Sequence, residues 1–329
     1  MRLGLVIDLD TCVGCHACAV ARKEWNVSGT TGPLSDYQPY GAEPSGAEAA
    51  GLGDALGPGR ILAAGVFALA LTAAGLTASM FHFNPKNAWR AFSRFKTSWP
   101  SREGVFAVLF FPFAAAYLGL TWLDMQGLEP VRLTAGALAT VLAWATLFST
   151  GMIYGCLKTS RQWNTPLVPA NYLALAHFSG ILLLLTAVPS GTLRYDGYLI
   201  VAVMLLLAAA ALEAIYYFWI AGPGVGPTVS SATGFTRDRV TLFDSGHTHG
   251  TFLTREFGFQ AARRRIRVLK GLVFAAAFAI PLLALVASGH GVSGAASGAA
   301  AAAFLGLLAE RWLFFAEARH VVNLYHGIQ

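Results

Sequence analysis

Cysteines at positions 12, 15 and 18 open the chain in the stretch DLDTCVGCHACAVAR. The spacing C-x2-C-x2-C begins the bacterial iron-sulfur run, which continues with a fourth cysteine four residues after the third. Arg22 occupies that position. A four-iron cluster takes four thiolates, and in two-cluster proteins the fourth cysteine of the run serves the other cluster. The returning thiolate then comes from a second motif, which this chain lacks. The other cysteine, Cys156, lies near the end of a distant apolar segment. Cys12, Cys15 and Cys18 are thus an incomplete metal-ligand set, and no complete iron-sulfur cluster is expected of this chain in isolation.

A second kind of chemistry is written in SMFHFNPKNAWRAFSRFKTSWPSRE, Ser79 to Glu103. His82 ends one apolar run, Pro85 stops the helix, and Glu103 opens the next run, so an imidazole and a carboxylate fall at the same membrane face. Interconversion of quinone and quinol moves two protons with two electrons. Its site needs a hydrogen-bonding group at the carbonyl and a titratable group in reach of water, and His and Glu suit those roles. The plainer reading makes His82 a helix-end side chain reaching for the interface and Glu103 a partner of the helix dipole.

Further ionisable residues sit in or just after the last apolar run, in ERWLFFAEARH, where charge at membrane depth marks a functional candidate. Glu310 and Glu317 are seven apart and share a helix face, Arg311 is placed to pair with its own turn or a neighbouring helix, and His320 follows. A structural ion pair is the alternative, with Glu213 of an earlier run as a possible partner. His247 and His249 lack a third ligand at metal spacing.

Placing these groups depends on the elements around them. Hydrophobic residues are 55% of 329 positions and charged residues 12%, a composition for a bilayer. The net charge of +6 is explained by topology, not nucleic acid, because the bases sit between apolar runs. Runs of about 20 apolar residues span a membrane. Seven occur, at roughly 60–83, 104–124, 132–156, 171–190, 196–221, 270–289 and 296–318. The expected fold is an all-α polytopic membrane bundle of about seven transmembrane helices, residues 60–329. It follows a Gly-, Pro- and Ser-rich block, 1–59, too poor in large apolar groups to stand as an independent domain. The alanine run at 299–303 is expected to make a close helix contact.

Fifteen bases fall in the loops after the first, third and fifth runs, whereas the opposite loops hold only Arg132 and Arg194. The positive-inside rule then puts the base-rich face and the C-terminus in the cytoplasm, with residues 1–59 outside. The Arg263 to Lys270 cluster reads as a cytoplasmic anchor touching anionic membrane lipid or an acidic partner.

From about Arg60 onward the chain resembles the DmsC-like membrane anchors of the dimethyl-sulfoxide reductase and sulfite dehydrogenase group of molybdenum enzymes. The resemblance rests on FHFNPKNAWRAFSRFKTSWPSRE, MIYGCLKTSRQWNTPLVPANY, HGTFLTREFGF and ERWLFFAEARHV. It implies a non-catalytic subunit in a bacterial inner membrane, without haem or molybdenum of its own. Such a subunit holds an iron-sulfur subunit with four-iron clusters and a molybdopterin catalytic subunit, and exchanges electrons with menaquinone or ubiquinone. By the same resemblance His82 and Glu103 match the quinone-site residues. Apart from that resemblance, Arg90, Glu310, Glu317 and His320 are secondary candidates. Residues 1 to about 46 resemble the opening of the family's iron-sulfur subunit through DLDTCVGCHACAVA, KEWNVSG and DYQPYGAEPSG. Arg22 stands in place of that motif's cysteine, the remainder of that subunit is absent, and the anchors' usual first of eight helices has no counterpart. An in-frame fusion of two subunits, functional or not, accounts for this composition. A polytopic transporter is the other class, and it predicts internal repeats, of which none is evident.

Overall fold

A computed structural model describes residues 52–80, 90–123, 127–188, 193–222 and 261–318. Its regular elements are helical throughout: α1 Leu52–Met80, α2 Arg90–Ser93, α3 Trp99–Leu123, α4 Glu129–Gly155, α5 Leu167–Ala187 and α6 Leu193–Ala221. There follow one continuous rod, α7 Ala261–Phe274, a π-helical turn Ala275–Ala279 and α8 Ile280–Gly289, and finally α9 Ala295–Ala316. Lipid offers no hydrogen bonds, so a long apolar run must satisfy its backbone internally, and the helix does so.

Among the described residues six helices are long and apolar enough to cross a bilayer, and they coincide with the second to seventh expected runs. The first run is present as α1, whose apolar stretch Leu62–Ala78 is shorter than the other six. This helix begins at Leu52 and runs through Gly57, Pro58 and Gly59, ahead of the expected start near residue 60. Glycine and proline are the weakest helix formers, and they drew the sequence boundary too late.

Turns fall where the chain carries residues suited to them. Gly127 precedes α4 with φ 89°, and Gly291 and Gly294 lie between α8 and α9 with φ 80° and 76°. This left-handed geometry is open to glycine at little cost. Consecutive helices pack side by side from α3 to α6, and α9 returns across α8, the π turn, α5 and α7. The largest core lies among α5, α6, α8 and α9, built from Phe178, Ile181, Leu185, Leu206, Leu285, Ala299 and Ala303. Ala299 and Ala303 are fully buried there, so the alanine run does make a close contact.

Two glycines set the closest backbone approaches among the described residues. A Cβ on Gly151 of α4 would stand 2.6 Å from the Pro169 Cα of α5. A Cβ on Gly306 of α9 would stand 2.2 Å from the Ala277 nitrogen, in the π turn. In lipid such backbone contacts replace the hydrophobic drive that assembles helices in water.

Gly306→Ala is expected to force α9 away from the π turn and lower stability by about 1–3 kcal/mol, the usual cost of overpacking. Thermal unfolding of the purified chain in detergent measures it, and an unchanged midpoint would show that the two backbones are not in register contact.

Candidate functional site

The stretch 94–98 ahead of α3 closes in a turn and is fastened by one arginine. Thr97 and Ser98 donate their amides to the Arg94 carbonyl at 3.0 and 2.9 Å, closing a turn before α3. Arg102, in the first turns of α3, donates from Nε to the Phe95 carbonyl at 3.0 Å and from Nη2 to the Lys96 carbonyl at 2.8 Å. Its guanidinium also covers the Trp99 ring, 4.2 Å from the centroid. A charged fork that pins two carbonyls fixes the strap in a way a lysine does not.

Beneath this strap lies a cleft of about 560 Å³ between α3 and α4, lined by Phe95, Lys96, Trp99, Arg102, Phe106, Ala145, Phe148 and Ser149. Its rings meet edge to face, Phe95 on Phe106 at 5.5 Å and Trp99 on Phe148 at 5.8 Å. A mainly aromatic lining that also includes Lys96 and Arg102 suits a largely apolar molecule with polar edges.

Glu103 stands on α3 beside this cleft, next in sequence to Arg102. Thr150 on α4 donates its hydroxyl to Glu103 Oε1 at 2.6 Å. The helix spacing explains the meeting: Trp99, Glu103, Phe106 and Phe110 recur at intervals of three and four and so turn one stripe of α3 toward α4. Glu103 therefore has a fixed partner one residue from the Ser149 that lines the cleft. Arg90 opens α2. Its side chain, together with His82, His320, Cys12, Cys15, Cys18, Arg22, His247 and His249, lies outside the described residues. The expected meeting of His82 with Glu103 thus falls on one residue that is described and one that is not.

The remaining candidates form a separate charged cluster among α5, α6, α7 and α9, at the same ends of the helices as the base-rich loops. Arg311 makes a two-pronged pair with its neighbour Glu310, one prong from Nη2 to Oε1 at 2.6 Å and the other from Nε to Oε2. The guanidinium lies over Tyr172 at 4.4 Å and Phe314 at 4.9 Å. Glu213 is fully buried and accepts from Asn171 Nδ2 at 2.9 Å. Lys270 donates to Glu317 at 2.7 Å and stands over the Tyr217 ring at 4.4 Å. Glu310 and Glu317, one face of α9 by sequence, are thus held by different cations.

The loop 156–166 closes over this cluster. Trp163 donates to the Phe314 carbonyl at 3.2 Å and stacks on its ring, and Arg161 donates to the Gly222 carbonyl at 3.2 Å. Tyr154 and Tyr172 stack beneath, with centroids 6.2 Å apart. Such dense packing around paired charges is the form of a structural clasp. Sequence reading missed Trp99, Arg102, Phe148, Thr150 and Asn171. Only Thr150 carried a legible signal, as half of an adjacent Ser-Thr pair near the end of an apolar run.

Known proteins resemble the chain along most of its length. Residues 53–287 match the family described as DMSO reductase anchor subunit (DmsC). The chain is 34% identical over 271 residues to the C subunit of sulfite dehydrogenase from Allochromatium vinosum, covering 79% of this chain and 83% of that protein. It is also 60% identical over 45 residues to the B subunit of sulfite dehydrogenase from the same organism, covering 14% of this chain and 19% of that one. No solved structure matches.

Arg311→Met leaves Glu310 buried at 1% exposure without its cation. It is expected to cost about 3–5 kcal/mol, the penalty of breaking a buried pair from one side. The double variant Glu310→Gln with Arg311→Met should recover much of that loss. Thermal unfolding in detergent reads both, and a single variant as stable as the parent would remove the clasp from the account.

Proposed function

We propose a function from an established membership: the chain belongs to the DMSO reductase anchor subunit (DmsC) family. It is a multi-pass membrane-anchor subunit of a molybdoenzyme complex. On our reading it docks an iron-sulfur subunit, and through it a molybdopterin catalytic subunit, on the base-rich face of the bundle. It also exchanges electrons with the quinone pool at the cleft beside Glu103. The observation that carries this reading is the aromatic cleft between α3 and α4, with Glu103 next in sequence to its lining residue Arg102 and hydrogen-bonded to Thr150, the neighbour of its lining residue Ser149.

In the reaction, a quinone takes two electrons and two protons to become quinol, or the reverse. The ring lies against Trp99 and Phe148, and the strap pinned by Arg102 shields it from water. Glu103 holds a proton within reach of the cleft and exchanges it with the ring oxygen. The electrons come from or go to the docked iron-sulfur partner. His82, by family resemblance, supplies the hydrogen bond at the carbonyl. The positive-inside rule puts this face in the cytoplasm of a bacterial inner membrane, with the C-terminus on the same side.

In the assembled complex, Trp99→Ala is expected to weaken quinone-analogue binding, because it removes a wall. Glu103→Gln should chiefly slow quinone-coupled turnover, because it keeps the shape and removes the proton acceptor. Fluorescence titration with an analogue and turnover with a quinol donor separate the two. Parental affinity and turnover in both variants, with assembly intact, would return the cleft to packing.

The short match over 45 residues to the B subunit of a sulfite dehydrogenase supports a second proposal, about origin. The opening of an iron-sulfur subunit has been joined in frame to an anchor, consistent with the N-terminal fragment. Sequencing the locus tests it. We expect no complete pair of separate genes beside it, one for a full iron-sulfur subunit and one for a full anchor, and such an intact pair would count against a deletion.

A further inference from the structure

We propose that Thr150 is the positioning residue that keeps Glu103 hydrogen-bonded in both of its protonation states, by turning one hydroxyl proton between two acceptors. The inference rests on the quinone reading above and names what that reading needs beside its carboxylate.

The Thr150 hydroxyl oxygen lies 2.6 Å from Glu103 Oε1 and 2.9 Å from the Thr146 carbonyl oxygen. A hydroxyl has one proton to donate and lone pairs to accept with, whereas a backbone carbonyl and an ionised carboxylate only accept. When Glu103 is ionised, the proton of Thr150 points at the carboxylate, the stronger acceptor because it is charged. The Thr146 carbonyl then keeps its ordinary helical amide. When Glu103 carries a proton, its own O–H donates to the Thr150 oxygen, and the Thr150 proton turns to the Thr146 carbonyl. Neither state strands a donor against a donor or an acceptor against an acceptor.

The bond to the carbonyl four residues back is ordinary for threonine in this bundle. Thr121, Thr134, Thr140 and Thr146 make it at 2.7, 2.7, 2.9 and 2.8 Å. The rotamer of Thr150 is therefore the one the helix already favours, with χ1 restricted by β-branching. The carboxylate facing it from α3 adds the second acceptor. In each turnover step one O–H bond of Glu103 breaks as one O–H bond of the quinol forms, or the reverse. Water at the base-rich face resets the carboxyl, and Thr150 ends each cycle with the proton it began with.

Two described charged side chains stand near Glu103. Arg102 adjoins Glu103 on α3, and Lys96 of the strap lines the cleft beside it. On α2 there is Arg90. The charges of α4, Glu129 and Arg132, pair with each other at the opposite end of that helix, 3.2 Å apart.

The test uses the assembled complex with Thr150→Val, which keeps the shape and loses the hydroxyl, and Thr150→Ser, which keeps the hydroxyl. Thr150→Val should lower quinone-coupled kcat about tenfold, the factor equivalent to one hydrogen bond of about 1.4 kcal/mol. It should also displace the midpoint of the kcat-pH profile, while analogue affinity changes less than about twofold. Thr150→Ser should restore both. In a Glu103→Gln background, Thr150→Val should add little, because no titrating partner remains. Parental kcat and pH profile in Thr150→Val, equal damage in Thr150→Ser, or a full further loss in the double variant would each overturn the proposal. Normal turnover in Glu103→Gln alone would overturn the quinone reading itself. Slow Glu103→Gln with a normal Thr150→Val removes only the role of Thr150.

Discussion

A hydrocarbon interior cannot hydrogen-bond, and most of this molecule follows from that deficit. It obliges each long segment to be a helix and gives the threonine hydroxyls of α3 and α4 their backbone partners within a turn. It also explains why charge enters the bundle only in company: Glu310 with Arg311, Glu317 with Lys270, Glu213 with Asn171, Glu103 with Thr150. A pair held in two prongs under aromatic rings tolerates low dielectric where a lone ion does not.

These polar groupings are unevenly distributed. Thr150 and Tyr154 lie near the end of α4, Asn171 near the start of α5, Glu213 in the last third of α6, Lys270 late in α7 and Glu310 near the end of α9. Helices that alternate in direction bring all of them to one side. The opposite half of the bundle is filled chiefly by Phe, Leu, Ile and Ala. The charged and hydrogen-bonded groups named here therefore gather at one margin of the bundle.

The fold was legible because bilayer thickness converts run length directly into helices, and both ends of each of the six spans lie within about five residues of those read from hydropathy. The start of α1 was not, since glycine and proline mask a helix that its apolar continuation supports. The π turn at Ala275–Ala279 left no trace in hydropathy, because an all-apolar stretch looks the same at any helical pitch. Glu103 was singled out from its place at a helix start. Its cleft was hidden, because Phe148 and Ser149 arrive from another helix more than forty positions along. Glu310 and Glu317 were read as sharing a face. Period alone could not say that Arg311 would take one and Lys270 the other.

The first helix is the least engaged. Gly65 receives the Leu118 side chain and Ala68 and Thr72 are buried, while Val66 and Phe67 stand 53% and 70% exposed to the surroundings. The core centred on α5 draws nothing from it. Leu62 and Leu69 tie this helix to the core between α3 and α4, so a change upstream of α1 would meet one outlying rod before it reached the core centred on α5.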